Sequence, residues 1–164
     1  MKFVTITLIF YFMISLTGCC PLLKKLSNSY ETKIEENSYW NDDFINSRKQ
    51  TFKKVEQKLC NAETIIVIEY YNWTQGSYKC ILYIDNDRIV LGKKNSSIEF
   101  TEFKIFNTEK FIIEKLKYDD YNSIIEKSKE IRTTSGTRFI ITKAVKNKKS
   151  WSVNTETCDA FNID

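Results

Sequence analysis

The chain contains no histidine. That absence removes the familiar Ser–His and Cys–His nucleophile systems, and every His-ligated metal, from the chemistry open to it. Glycine is scarce as well, four in 164 residues. The one loop with an anion-binding flavour, "RTTSGTR", holds a single glycine and reads as a turn, not as a phosphate-cradling P-loop. Arginine is rare beside lysine, and the guanidinium fork is what specific phosphate or base recognition favours, so nucleic acid is a poor partner. A strong charge of one sign is also missing. The 25 basic and 21 acidic side chains leave a net charge of +4, with the lysines spread in pairs among acids. Solubility and mild attraction to anionic surfaces are all that such a balance supports. "DNDRIVLG" lacks the oxygen-ligand spacing of a calcium loop, and its acids suit a hairpin turn. No cofactor or metal is expected.

A long hydrophobic run is absent too. The apolar stretch from Phe3 to about Leu16 falls short of the roughly 20 residues that a bilayer span needs. Preceded by Lys2 and followed by small residues, it has the build of an export signal. Its end, "LTGC" (Leu16-Thr17-Gly18-Cys19), resembles the lipobox of bacterial lipoproteins: an aliphatic residue, a small one, Gly or Ala, then an obligatory Cys. The resemblance covers residues 1–19 only. It implies a diacylglycerol on the Cys19 thiol, cleavage after Gly18 and acylation of the freed amine. Two or three fatty chains hold a protein stably at a membrane, at about 0.8 kcal/mol per buried methylene. The implied location is the bacterial cell envelope. With no Asp directly after the lipidated residue, the family analogy favours an outer membrane over the inner one, with the domain facing either the periplasm or the cell exterior.

On this reading residues 1–18 are a lipoprotein signal peptide, 19–41 a lipidated N-terminus and flexible tether, and 42–164 a single domain. The tether follows from the polar, aperiodic "PLLKKLSNSYETKIEENSYWN". Four further cysteines, Cys20, Cys60, Cys80 and Cys158, fit one or two disulfides in an oxidising envelope. Their wide spacing makes zinc a poor alternative.

The domain's pattern predicts an α+β fold: an antiparallel sheet of five to six strands, with an N-terminal helix and one later helix packed on one side. "NDDFINSRKQTFKKVEQKLC" carries Ile45, Phe52, Val55 and Leu59 at helical spacing. "TIIVIEYY" and "YKCILYID" are β-rich runs around "NWTQGS", so they predict a hairpin. If it closes symmetrically about Trp73–Gly76, Ile65 faces Ile84, Val67 faces Leu82, Glu69 faces Cys80 and Tyr71 faces Tyr78. The alternate face (Ile66, Ile68, Ile81, Tyr83) is apolar too, so this hairpin should be central and covered on both sides. "RIVLG" and "SIEFTEFKIF" give two more strands. "KFIIEKLKY" fits strand or helix, with strand preferred. "DDYNSIIEKSKEI" predicts a helix behind an Asp cap, and "RFIITKAV" with "SWSV" predicts a final hairpin through "KNKK". In this register Cys80 lies about 16 Å along the strand from Thr64. That distance disfavours Cys60–Cys80 and leaves Cys60–Cys158 as the preferred bridge.

Two surface features stand out. The aromatic hairpin tip brings Tyr70, Tyr71, Trp73 and Tyr78 together with amides, a mix suited to protein hot spots or to stacking on sugars. The basic turn Lys146, Lys148, Lys149, followed by Trp151, suits anionic lipid headgroups or an acidic partner. Glu69, a carboxylate in an apolar strand, invites a raised pKa, but no paired-carboxylate or nucleophile constellation is recognisable. The expectation is therefore a non-catalytic, lipid-anchored protein-binding module, such as an assembly factor, inhibitor or immunity-type lipoprotein. A glycan- or small-ligand-binding lipoprotein is the alternative, and a carboxylate-dependent envelope hydrolase a weaker one.

Overall fold

The computed structural model describes residues 20–34, 42–85, 87–131, 136–148 and 150–163. The lipobox, with Cys19, lies outside them. In chain order the elements are α1 (Pro21–Ile34), α2 (Asp42–Lys54), α3 (Glu56–Asn61), β1 (Thr64–Asn72), β2 (Ser77–Ile84), β3 (Asp87–Lys94), β4 (Ser97–Phe100), α4 (Phe106–Lys117), α5 (Tyr121–Glu130), β5 (Thr137–Asn147) and β6 (Ser150–Asp159).

The six strands form one antiparallel sheet in the order β4-β3-β2-β1-β5-β6. The β1–β2 register is the symmetric one, with Ile65 opposite Ile84, Val67 opposite Leu82, Glu69 opposite Cys80 and Tyr71 opposite Tyr78. Central strands that are apolar on both faces need two covers, and they have them. Leu22, Leu26, Phe44 and Leu59 of α1–α3 pack on the face of Ile65, Val67, Leu82 and Ile140. Ile112, Leu116 and Ile124 of α4 and α5 pack on the face of Ile68, Ile81, Phe139 and Ile141. The α+β class and the antiparallel sheet are as expected, but the helices lie on both faces of the sheet, not on one.

Three other expectations are corrected. Residues 21–34, expected as tether, form α1. Leu22 and Leu26 stand one turn apart on its inner side and are fully buried. Lys25 Nζ donates to the Trp151 carbonyl (2.6 Å), and the Ser29 and Thr155 hydroxyls are 2.9 Å apart. Residues 110–118, expected as strand, are helix as far as Lys117, with Tyr118 as its C-cap: burial at Thr108, Glu109, Ile112 and Leu116 follows the 3.6-residue period. The strand expected over "SIEFTEFKIF" ends at Phe100.

The disulfide joins Cys20 to Cys60, with Cα atoms 5.5 Å apart. Cys158 cannot serve Cys60, because it packs in the α4–α5 layer on the opposite face of the sheet. Cys158 and Cys80 are free, buried thiols. Cys80 sits mid-strand opposite Leu91 and Glu69, which is the geometry that argued against Cys60–Cys80.

The connections sort the molecule into two ends. At one end lie the start of β1, the β2–β3 turn, the β5–β6 turn, α3 and the Cys20–Cys60 bridge. Asp85 Oδ1 there accepts the Glu63 and Thr64 amides at 2.9 Å each, and the Lys146 amide donates to the Glu63 carbonyl. The β1–β2 turn and the entry to β5 occupy the other end, where Trp73 N donates to Gly136 O.

Candidate functional site

The hairpin tip is not an exposed aromatic patch. Tyr71 and Tyr78 are buried against Phe44, at ring distances of 5.1 and 5.7 Å. Tyr70, on the opposite face, is half-buried between Phe103 and Phe139. Trp73 is half-buried and closes over Gly136, where an added Cβ would come within 3.1 Å of its ring. All four have been drawn into the core, as side chains flanking a central hairpin must be when both faces are covered. Trp151 is likewise buried, in the layer under α1. Lys146 pairs with Glu63 at 2.9 Å. Lys148 stands exposed on a left-handed turn residue, φ 52°. Lys149 and Cys19 lie outside the described residues.

Glu69 is wholly buried and anchors a polar cluster in the α1–α3 layer. Tyr78 Oη donates to its Oε1 at 2.8 Å, and Arg48 Nε lies 3.4 Å from its Oε2. Arg48 also lies over the Phe52 ring, 5.2 Å from the centroid. Burial raises the Glu69 pKa, while the Arg48 charge and the Tyr78 hydrogen bond pull it down. Burial also pushes the Tyr78 hydroxyl and the Cys80 thiol well above their ordinary values. With a carboxylate 0 % exposed, this cluster serves packing and charge pairing inside the fold.

The accessible geometry lies elsewhere, around α4 and the outer strands. Tyr83 on β2 faces Arg88 on β3, and α4 places Glu109 over both. Arg88 donates to the two carboxylate oxygens of Glu109 at 2.6 and 3.0 Å and to the Phe103 carbonyl at 2.9 Å; Tyr83 donates to the same carboxylate. A bidentate, charge-assisted contact of this kind fixes orientation as well as adding energy. Burial and the bond to Glu109 push the Tyr83 pKa up to about 12, and that bond raises Arg88. The trio is a saturated pin that holds α4 to the sheet.

Two open grooves flank Arg88. One, of about 590 Å³, runs along α4 between Tyr83, Phe106, Lys110, Ile113, Lys117 and Tyr118. The other, of about 510 Å³, runs between the α2–α3 junction (Lys54, Val55, Lys58) and Ile89, Val90 and Phe100. The walls carry large exposed aromatics: Phe106 at 66 %, Tyr118 at 81 % and Phe100 at 65 %. Lys54 Nζ sits 5.5 Å from the centre of the Phe100 ring. Beside this second groove the outer edge of β3 is open: β4 pairs only with Leu91–Lys94 and Thr101 N closes on Val90 O, while Asp87–Ile89 pair with β2 on their inner side and have no strand on their outer side among the described residues.

Sequence reasoning missed Phe100, Phe106, Tyr118, Arg88 and Glu109. The signal for Phe106 was present: with α4 read as a helix, Phe106, Lys110, Ile113 and Lys117 recur at i, i+4, i+7 and i+11, apart from the buried stripe. Of the other strand and turn carboxylates, Asp85 works as a turn acceptor, and Glu99 pairs with Lys94 on the surface. Among the described residues no group of three or more His, Cys, Asp or Glu could hold a metal ion, and none of the described helices is long and apolar enough to cross a membrane. Comparison with known protein families, curated proteins and solved structures finds no match.

Proposed function

We propose that this chain is a lipid-anchored envelope protein that works by binding another protein, and that the partner docks beside the open edge of β3. The anchor rests on the lipobox resemblance at Cys19. The observation that carries the docking site is Phe100: an apolar ring more than half exposed, under the ammonium of Lys54, next to positions of β3 that pair with β2 but have no strand on their outer side among the described residues. Exposed aromatics ringed by polar groups are the usual anchors of protein interfaces. An unpaired strand edge can accept an extended segment by main-chain hydrogen bonding. Lys54 and Lys58 on the groove wall favour a partner segment that carries acids. Both grooves are open troughs, which suits a protein face better than a small ligand, whose sites are typically concave and enclosing.

The test is affinity capture with the native lipidated protein, comparing wild type with a Lys54→Glu, Phe100→Ser variant. The expected result is a partner retained by wild type whose affinity falls by about 2 kcal/mol or more, roughly thirtyfold, in the variant. Undiminished capture by the variant would place the interface elsewhere.

A further inference from the structure

We infer that the Cys20–Cys60 end of the domain is seated directly on an anionic lipid surface, with the outer flank of α4 as part of the contact. The inference rests on the anchor reading for Cys19 and goes on to say which surface touches the bilayer.

The first argument is the length of chain available. Cys20 is 3 % exposed and bridged to Cys60, and Leu23 N returns to the Cys20 carbonyl. Cys19 is the next residue, so its Cα lies about 3.8 Å from a Cα that belongs to the fold. No tether separates the acyl-bearing residue from the globule. Whatever surrounds the bridge must lie at the headgroup layer.

The second argument is what surrounds it. The β5–β6 turn with exposed Lys148 and the α3 surface with exposed Lys58 share this end. The register shows that α4 does too. Tyr83, Ile66 and Lys143 form one row across β2, β1 and β5, near the start of β1. α4 spans that row, held at one end by Tyr83 and Arg88 through Glu109 and at the other by Lys143 Nζ, which donates to the Leu116 carbonyl. One flank of α4 faces the far end: Phe111 meets Phe161 beyond β6, and Thr108 Oγ1 accepts the Ile163 amide. The opposite flank, with Phe106, Lys110, Lys117 and Tyr118, therefore faces the bridge end.

This flank supplies the third argument, its chemistry. Exposed aromatics interleaved with lysines are the composition of interfacial contacts, where rings sit at headgroup level and ammonium groups meet lipid phosphates. The acids at this end are partly committed. Glu63 pairs with Lys146 and Asp85 caps the β1 amides, while Asp87 and Glu114 stay exposed. With Glu56 at the head of α3, half-buried, three acids remain, and Lys58, Lys110, Lys117 and Lys148 outnumber them.

The test places spin labels on Tyr118→Cys, Lys148→Cys and, at the far-end turn, Gln75→Cys. The labelled, lipidated proteins are reconstituted in vesicles of phosphatidylethanolamine and phosphatidylglycerol. Collisions with oxygen and with a water-soluble nickel chelate report depth. The expected result is loss of nickel-chelate collisions at 118 and 148 and none at 75. A Lys110→Glu, Lys117→Glu, Lys148→Glu background should return the label at 118 to water with circular dichroism unchanged. Equal nickel accessibility at all three sites, with Cys19 shown by peptide mass to be acylated, would overturn the seating while leaving the anchor standing. An unmodified Cys19 would overturn both.

Discussion

Glu69 stands opposite Cys80 in the centre of the sheet, and its carboxylate persists there because Arg48 and Tyr78 reach it. Removing one member of a buried pair is far costlier than replacing both, since the survivor keeps its desolvation penalty. Glu69→Gln should therefore destabilise the domain by about 3–5 kcal/mol at neutral pH, and Glu69→Leu with Arg48→Met should recover most of that loss. Urea unfolding of the three variants checks it. The pH dependence has a definite sign. Burial raises the folded pKa of Glu69, so as pH falls the native protein takes up that proton before the unfolded chain does. Its contribution to stability rises on acidification from the folded value towards the unfolded one near 4.3. The stability of wild type relative to Glu69→Gln should thus increase as pH is lowered towards the unfolded value.

Among the elements, α1 depends most on a single bond. It packs on β6 through Leu22 and Leu26 and is tied at its start by Cys20–Cys60, a crosslink spanning 40 residues. Loop entropy alone puts that constraint at about 4 kcal/mol. Reduction, or Cys60→Ser, should lower the unfolding midpoint accordingly. Alkylation of the native protein should then label Cys20 and Cys60 only after reduction, with Cys80 and Cys158 protected until the chain unfolds. Burial pushes the Cys158 thiol up to about 12, which reinforces its protection. The bridge also marks where sequence reasoning ran out. Strand alternation and a short turn were enough to set the β1–β2 register to the residue, and an Asp followed by helical spacing located α5, whose cap is seen in Ser123 N donating to Asp120 at 3.1 Å. Periodicity cannot say which face of a sheet a distant residue joins, and that alone separates Cys158 from Cys60. Nor could it weigh two leucines in a polar stretch as a helix, because α1 gains its stability from docking and not from its own sequence. The same blindness hid the site. Tyr71 and Tyr78 sit at the hairpin tip, where Phe44 of α2 covers them, and Phe106 looked like strand until α4 took its period.

At the scale of the whole molecule, the seating inferred above would give the domain one upright orientation, and that orientation can be broken by design. Inserting ten Gly–Ser residues between Cys19 and Cys20 adds a spacer of about 16–19 Å root-mean-square length, enough to lift the globule clear of the headgroups. The fold and the Cys20–Cys60 bridge should survive, while the labels at 118 and 148 become as accessible to nickel chelate as the one at 75.

The ten-residue outer edge of β6 acquires a different meaning in this light. Two copies that joined β6 to β6 in antiparallel fashion would be related by a twofold axis normal to the sheet, which turns one of them upside down. Copies rooted in a common bilayer all point the same way, so that dimer is geometrically barred to them. On the proposed anchoring, mooring would thus add to the partial cover that Lys25, donating to the Trp151 carbonyl, gives this edge, and protein stripped of its acyl chains should be the form that associates edge to edge.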